Sequence, residues 1–393
     1  MSQIDNGTAY PLLATPAGTD IVLGYRPAGA DPMNRIESSK LNVDNVNGQS
    51  LQSLATGLLK NTTTTGVPSI AVAGTDYMAP ANIYGMKNRL INGAFSINQA
   101  GLTTAADTVY HLDQWYALTE SGIVTIAQQT DQENGQPTSL RMTQPDVTAK
   151  RMGSAQPIES INCRDLRGQT VALRARIRCS SSQAIRWAVV EWTGSADWIT
   201  KDIVNTWSSG TFTTGNFFIA TTTTIAATGS VTPAANTWTD LLASATISSS
   251  ANNLIVFIWS EGTLAQNATL DLGAVQLAQG AQTPFEARPV GFELFLVCRY
   301  FQVTEGTFSG LTSSANGGEF CVPLITQMRN SPSLINIANG TWVDGSVASA
   351  VTGASIATST PFGPIRAAFT TTGATALRAV LLVGQKISLN SRL

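Results

Sequence analysis

Charged residues are scarce in this sequence. Lys, Arg, Asp and Glu together make up 12% of the 393 residues, and only 6 of the 23 basic residues are Lys. An average soluble protein has about twice that share of charge. Because the formal net charge is −2, a basic surface that binds nucleic-acid phosphates is not expected.

Long apolar runs are also lacking. The best stretch, Ala379–Val383, is far short of the roughly 18 residues that a membrane-spanning helix needs. The N-terminal MSQIDNGTAY contains neither a basic nor an apolar segment, so it does not have the pattern of a secretory signal. We therefore expect no membrane insertion, and synthesis in a cytoplasm.

Histidine and cysteine are equally rare. His111 is the single histidine, and no two of the four cysteines form a C-x-x-C pair. A zinc site or a histidine-based triad is therefore not expected, and His111 is interpreted as a buried structural residue. We predict no metal, no cofactor and free thiols at Cys163, Cys179, Cys298 and Cys321.

Paired carboxylates are the remaining route to catalysis, because glycoside hydrolysis needs two of them but no sequence motif. Nothing in the spacing of the acidic residues singles out a pair, and no glycine-rich phosphate loop precedes a helix. We therefore assign no catalytic residue and predict a protein that is not an enzyme. The carboxylates available in the central region are Glu191, Asp197, Asp202, Glu261 and Asp271.

Short neutral polar residues take the place of charge. The chain has 49 Thr, 34 Ser, 23 Asn and 33 Gly; Thr favours strands and the other three favour turns. In the segment 171–179, Leu173, Ala175 and Ile177 alternate with arginines, as in a strand with one face in a core. Leu254–Trp259 is apolar throughout, and a phase shift near Gly273 indicates a β-bulge. The sequence predicts an all-β protein.

Three domains are predicted. Residues 1–85 are rich in turn signals and poor in aromatics, so they should be ordered only by association, the alternative being a disordered tail. Residues 86–288 have the strand pattern of a β-sandwich. Residues 289–393 should form a small C-terminal β domain, with hairpins at Asn339-Gly340 and Asp344-Gly345.

A short helix is predicted at the start of the third domain. Helical spacing would place Phe292, Phe295, Leu296 and Tyr300 near one face and Glu293 on another side.

Tryptophans in irregular segments are the candidate ligand contacts, because the C–H faces of sugars stack on indole rings. Trp192, Trp198 and Trp207 lie within sixteen residues in the segment that least resembles a core strand, and Trp342, between two hairpin signals, is expected to be exposed. Glycan stacking is one interpretation, and packing within the loop or against another subunit is the alternative. The tryptophans in strand-like settings are expected in the core: Trp115, Trp187, Trp238 and Trp259.

Three arginines on one strand are a second candidate. Arg174, Arg176 and Arg178 would share the solvent face. That face would contact an acidic polysaccharide, or it would be a solvated surface or a set of ion pairs between subunits.

Three segments resemble bacteriophage tail-fibre proteins. Gly57–Thr62, continuing to Tyr77, resembles a stretch in the N-terminal half of such fibres. Asn88–Gln99, followed by Asp113-Gln114-Trp115, resembles the opening of their carbohydrate-binding-module-like jelly roll. Leu272–Leu277 with 283–301 resembles its closing strand and the junction to a C-terminal tip domain, although Ala278 stands where such proteins often have an acidic residue.

Several residues have structural roles in this picture. Asn92-Gly93 should form a tight turn, Trp115 should fill the sandwich, and Phe285 should enter the seam between jelly roll and tip. Arg288 is expected to pair with Glu293. The motif as a whole comprises Asn92, Gly93, Trp115, Gln276, Phe285, Glu286, Arg288 and Arg299.

The resemblance implies a homotrimeric fibre or spike of a tailed-phage virion. Residues 1–85 would attach it to tail, baseplate or head proteins, and the remainder would adsorb to host polysaccharide or lipopolysaccharide. One alternative is a virion component, such as a head fibre, collar or baseplate protein, without primary receptor binding. A second is a glycan-degrading tailspike. A third is a bacterial adhesin or secreted lectin, against which the lack of a secretory-signal pattern counts.

Overall fold

The computed structural model divides the chain into two units, Met1–Met78 and Ala79–Leu393. The structure describes residues 45–46, 49–61, 64–72, 76–77, 86–130, 137–314, 316–338, 340–343, 348–358, 365–372, 374 and 378–393. Within them, no helix is long and apolar enough to cross a membrane.

The first unit contains two short antiparallel pairs. Strand β1 (Asn45–Val46) pairs with β2 (Gln49–Ser50), and β3 (Leu59–Asn61) pairs with β4 (Pro68–Ile70). Lys60 Nζ lies 2.7 Å from a carboxylate oxygen of Asp76. Most of the segment 1–85 lies outside the described residues, so its predicted association stays a prediction.

The second unit begins with a β-sandwich of jelly-roll type, in which every strand pair is antiparallel. Its strands are β5 (Thr104–Ala106), β6 (Tyr116–Thr119), β7 (Ile123–Gln129), β8 (Ser139–Thr143), β9 (Met152–Ile158), β10 (Thr170–Cys179), β11 (Ile185–Trp192), β12 (Thr223–Val231), β13 (Thr239–Thr246), β14 (Asn253–Ser260) and β15 (Thr269–Gln279). A six-stranded sheet has the order β13-β10-β15-β8-β7-β5, and a five-stranded sheet has the order β12-β11-β14-β9-β6. The all-β prediction is confirmed.

The sandwich core forms as the alternation predicts. Leu173, Ala175 and Ile177 of β10 point into it and are at most 1% exposed, whereas the arginines between them are half-buried on the outer face. Strand β14 is buried at all eight positions. Its second face packs against the loop 193–222, where Phe217 and Phe218 form a separate apolar cluster with Trp259.

The predicted bulge is present in β15. Arg174 is opposite Gln276 but Arg176 is opposite Gly273, so β15 has one extra residue between these pairs. Ala274 accommodates it with φ of 48°, which is uncommon for a residue with a side chain. The bulge resets the inward phase of β15 to Val275 and Leu277.

The predicted short helix is present as α1 (Val290–Cys298). Glu293, Val297 and Cys298 are buried, whereas Phe292 and Phe295 are 39% and 50% exposed. The ion pair of Glu293 described below turns that side of the helix inward. The two rings are therefore displayed at the surface of this unit.

The C-terminal domain is a second antiparallel β-structure with its own core around Phe320, Trp342 and Phe369. The strands are β16 (Phe301–Ser314), β17 (Gly317–Val322), β18 (Ser333–Ala338), β19 (Thr341–Val343), β20 (Ala348–Ala350), β21 (Gly353–Thr358), β22 (Ile365–Thr370) and β23 (Ala379–Asn390). Strands β19 and β20 pair with each other, whereas β18 and β19 each pair with β23 and not with each other, so the described residues do not form the hairpin predicted at Asn339-Gly340. Residues 339 and 344–347 lie outside the described residues.

Candidate functional site

The three loop tryptophans occupy different environments. Trp192, the last residue of β11, is 5% exposed, and its Nε1 donates to the carbonyl of Ser195 at 3.0 Å. Trp207 is half-buried, edge-on to Phe217 and Phe257. Only Trp198 of the three has an open ring, with 81% of the residue exposed. Packing within the loop accounts for two of them, and Trp198 alone is displayed for stacking.

The base of Trp198 is held firmly. The carboxylate of the preceding Asp197 accepts bonds from Ser160 N, Ser160 Oγ and Asn253 Nδ2, at 2.7 to 2.9 Å. Burial by itself raises the pKa of Asp197, but these hydrogen bonds hold it below its ordinary value. Ile161, which follows Ser160 in the chain, is 59% exposed.

The structure contradicts the expectation that Trp342 is exposed. The sequence predicted an exposed ring between two turns, but the residue is 0% exposed in the core of the C-terminal domain. Its ring stands edge-on to Phe320 at a centroid distance of 5.1 Å. A side chain enclosed in this way has no face left for a sugar.

The arginine stripe lies on the outer face of the six-stranded sheet. Arg178 Nε and Arg141 Nε approach the two oxygens of Asp271 at 2.7 and 2.8 Å. Asp240 on β13 lies 3.7 Å from Arg174 and 3.3 Å from Arg176. Asp240 and Asp271, which form ion pairs with these arginines, thus come from neighbouring strands of the same chain.

Trp238 lies on this same face and was missed as a candidate, because its setting beside β13 indicated a core position. It is half-buried. The Arg178 guanidinium stands 4.6 Å from its ring centroid, and its edge lies above Gly273, where an added Cβ would stand 3.6 Å from the ring. The outer face of the sheet therefore presents a cation–π pair formed by the Trp238 ring and the Arg178 guanidinium. Gly273, the glycine at the bulge, lies against this ring. It was the feature of the sequence that could have indicated a side chain packed on the outer face at this point.

Two of the three segments that carried the family resemblance meet at the start of the sandwich. Asn92, with φ of 57°, begins a turn in which Phe95 N donates to its carbonyl at 2.9 Å. Gly93 accepts from Val275 N at 2.9 Å, and a Cβ at Gly93 would collide with the Val275 carbonyl oxygen. The Nε1 of Trp115 donates to the Asn92 carbonyl at 3.2 Å.

An ion pair closes this junction. Arg288 Nη1 lies 3.0 and 3.1 Å from the carboxylate oxygens of Glu293, with both side chains less than a tenth exposed. Arg288 Nη2 donates to the Asn88 and Leu90 carbonyls, and Glu293 accepts from Asn92 N. The expected pairing is present, and it ties the residues after β15 to the segment before β5.

Glu286 and Gln276 extend the same network. Glu286 accepts from the Met86 and Asn88 amides, and its own N–H donates to Gln276 Oε1 at 2.7 Å. Phe285 beside it is half-buried. These contacts hold the junction of the fold together.

Arg299 connects the C-terminal domain to the sandwich. Its guanidinium donates to both oxygens of Glu159 at 2.9 and 3.1 Å, and Tyr300 Oη donates to the same carboxylate at 2.8 Å. Burial, and then the Glu159 charge, raise the pKa of Tyr300 well above its ordinary value. The hydroxyl therefore stays protonated and serves as a donor.

His111 is buried and structural. Its Nδ1 accepts from Leu112 N at 2.7 Å, which leaves Nε2–H to donate to Ser154 Oγ at 3.1 Å. Burial, followed by the charge of Arg392, lowers its pKa to about 3. The nearby Asp113 is also enclosed, and burial raises its pKa to about 6.

We predict that His111→Asn makes the protein less sensitive to acid. The folded state keeps His111 neutral to a pH of about 3, whereas the unfolded chain protonates it below about pH 6.5. The unfolded state therefore binds more protons, and the folded state loses about 3 kcal/mol through this residue between pH 7 and pH 4. Asn retains the acceptor for Leu112 and does not titrate.

Chemical unfolding at pH 7 and pH 4 measures this effect. The difference in unfolding free energy between the two pH values should be about 3 kcal/mol smaller in the variant. Asp113 works in the opposite direction, since its raised pKa adds stability as the pH falls below about 6, but it is common to both proteins. An unchanged difference would contradict the assignment.

The carboxylates that the sequence offered for hydrolysis are engaged in structural contacts. Glu191 is 3% exposed and accepts from Ser248 N and Oγ, both at 2.7 Å. Glu261 pairs with Arg186 at 2.8 Å. Asp197 and Asp271 are held as described above, and Asp202 accepts from Val204 N at 3.2 Å.

The fold defines the chain as an antiparallel β-sandwich protein in which a second β domain follows the sandwich along the chain. It matches no protein-family model, and no curated protein matches it.

Several solved structures are similar in fold. A putative sugar binding protein from Bacteroides thetaiotaomicron is 13% identical with a TM-score of 0.29, over 49% of this chain and 100% of that one. TmCBM61, solved with β-1,4-galactotriose, is 9% identical with a TM-score of 0.30, over 49% and 99%. The enzymatically active domain of bacteriophage CBA120 tailspike protein 4 is 11% identical with a TM-score of 0.30, over 49% of this chain and 22% of that one. Likeness at this level does not assign function.

Proposed function

We propose that this protein is a homotrimeric fibre or spike of a tailed-phage virion that adsorbs to a host-surface glycan, polysaccharide or lipopolysaccharide. The observation that carries glycan binding is the outer face of the six-stranded sheet, where the Arg178 guanidinium lies over the half-buried ring of Trp238. Adsorption would multiply weak sugar contacts by the number of binding faces.

The virion assignment is supported by the resemblance and by the way its residues cooperate. Asn92, Gln276, Glu286 and Arg288 come from two of the three resembling segments and are parts of one polar network. Residues 1–85 would supply virion attachment and trimer contacts. Sedimentation of the full chain tests the trimer, and a monomer with a stably folded N-terminal segment would overturn it.

A virion component without receptor binding is the second candidate function, and particle imaging together with adsorption assays separates the two. The tailspike alternative is disfavoured by the structural contacts of the five carboxylates in the sandwich. A reducing-end assay on host polysaccharide would reveal hydrolysis.

We predict that Trp238→Ala weakens glycan binding at least tenfold. The substitution removes the ring that would stack on the sugar and leaves the strand residues in place. A tenfold change in affinity corresponds to about 1.4 kcal/mol, which is within the range of one aromatic contact. Purified chain on an array of host-type polysaccharides, followed by titration of the best binder, provides the measurement.

Trp198→Ala is the matched control, because it removes an equally large ring that is 81% exposed on the loop. Unchanged binding in Trp198→Ala together with the loss in Trp238→Ala places the site on the sheet face. The opposite result would move the site to the loop, and loss of binding in neither variant would exclude both rings.

A further inference from the structure

The C-terminal domain has a face that its own core does not use. On β16, β19 and β23, alternate residues point into the core around Trp342, and the residues between them point outward. Phe308 and Leu382 are at most 4% exposed, whereas Leu381, next to Leu382 in the chain, is 47% exposed. Because side chains alternate along a strand, the strands that enclose this core also present an outer face.

Strand register makes this outer face continuous. Leu381 of β23 lies opposite Val343 of β19 on one side and Ser309 of β16 on the other. On the next strand, β20, Ala348 lies opposite Val343. Neighbouring strands are about 4.8 Å apart, so these side chains form one surface, which we call the β23 face. Its residues are Ser309, Leu311, Thr341, Val343, Ala348, Ala350, Ala379, Leu381 and Val383.

The β23 face is apolar and uncharged. None of its residues carries a charge. Leu311, Leu381 and Val383 are 53%, 47% and 43% exposed, and the two alanines of β20 extend the apolar surface. Single exposed apolar side chains are ordinary on a protein surface, but several on adjacent strands form a patch. Such patches, depleted of charge at their centre, are typical of protein interfaces.

Charged side chains of both signs lie beyond this face. Glu319 of β17, opposite Leu311, pairs with Arg366 of β22. Lys386 of β23 pairs with Glu305 of β16 at 3.5 Å. All four charged side chains are more than a third exposed. A surface bordered by both signs is complementary to a copy of itself, because the acid of one copy can meet the base of the other.

We propose that copies of this chain contact one another through the β23 face. This rests on the proposed function, which requires a trimer, and it adds contacts in the C-terminal domain to those proposed for residues 1–85. Three copies around a threefold axis would bury Leu311, Leu381 and Val383 against a neighbour. A glycan is the poorer occupant, because the face has no aromatic ring to stack on a sugar and no charge to bind an anion.

A cross-linking reporter at Val383 tests the contact in the full chain. Val383→Cys is combined with Cys321→Ser, since Cys321 is the one exposed thiol among the four cysteines. Under mild oxidation, copies that touch through the β23 face should give a disulfide-linked dimer on a denaturing gel. Ile123→Cys in the same background is the matched control. Ile123 is 51% exposed on β7 of the sandwich, and its cysteine variant should give no such dimer.

A second substitution in the reporter chain perturbs the contact. Leu381→Glu places a charge in the centre of the apolar face and should lower the yield of disulfide-linked dimer at least tenfold. Ile123→Glu adds the same charge at a similarly exposed position and should leave the yield unchanged. If Leu381→Glu does not fold, Leu381→Thr retains a residue that favours strands and should still lower the yield at least threefold.

Three results would overturn the inference: no disulfide-linked dimer from Val383→Cys, equal yields from Val383→Cys and Ile123→Cys, or a yield that Leu381→Glu does not change. Sedimentation of the parent chain separates this failure from that of the proposed function. A trimer without the cross-link rejects the β23 face and retains the fibre. Cross-linked copies in a parent that sediments as a dimer support the face and reject the trimeric fibre, and a monomer without the cross-link rejects both.

Discussion

Replacing Arg288 with Leu should lower the free energy of unfolding by about 3–5 kcal/mol, the range for breaking a buried ion pair. The guanidinium serves three partners at once: the Glu293 carboxylate and the carbonyls of Asn88 and Leu90. Without it, Glu293 stays buried with an uncompensated charge. Urea unfolding followed by tryptophan fluorescence measures the loss.

Two comparisons define the origin of that loss. Arg366→Leu breaks an ion pair with Glu319 in which the side chains are 61% and 37% exposed, and it should cost less than about 1 kcal/mol. The double variant Arg288→Leu with Glu293→Leu removes both charges and should recover part of the stability. A double variant that is less stable than Arg288→Leu would show that the charge of Glu293 is not the source of the cost.

Trp115→Ala should cost about 3–5 kcal/mol of unfolding free energy, the range for removing a large ring from a core. The residue is 0% exposed, and its ring packs against Phe95 at a centroid distance of 5.1 Å. The Nε1 bond to the Asn92 carbonyl is lost as well. The surrounding strands are fixed in two sheets, so the cavity cannot close fully. Chemical unfolding again provides the measurement.

Trp198→Ala is the control for this prediction. It changes the same residue type at a position that is 81% exposed, and the stability should stay within about 0.5 kcal/mol of the parent. Comparable losses of unfolding free energy in the two variants would contradict the assignment of Trp115 to the sandwich core.

Local patterns predicted much of the sandwich. The alternation in β10 and the unbroken apolar run in β14 depend on side chains only one or two positions apart, as does the shift near Gly273. The Arg288–Glu293 ion pair could also be predicted from the sequence, because the two residues are five positions apart. Such features follow from the period of two in a strand and from short spacing along the chain.

The candidate site was harder to predict from the sequence than the sandwich. Trp192, Trp207 and Trp342 stand in polar or turn-rich sequence, yet tertiary packing encloses them fully or in part. Trp238 looked like a core residue but lies on an outer face, beside an arginine from another strand. The partners of the arginine stripe, Asp240 and Asp271, are 60 or more positions away and meet it only through strand register.

The sequence by itself determined that the chain is built of strands and turns, which residues of a strand share a face, and that charge is sparse. The tertiary structure decided which face meets water. The loop 193–222 covers one sheet, while the Glu293 ion pair turns α1 so that Phe292 and Phe295 face outward. The physical reason is that periodicity reports only relations between neighbours. Burial depends on which distant segment packs against a face, and that choice is made by the whole core at once.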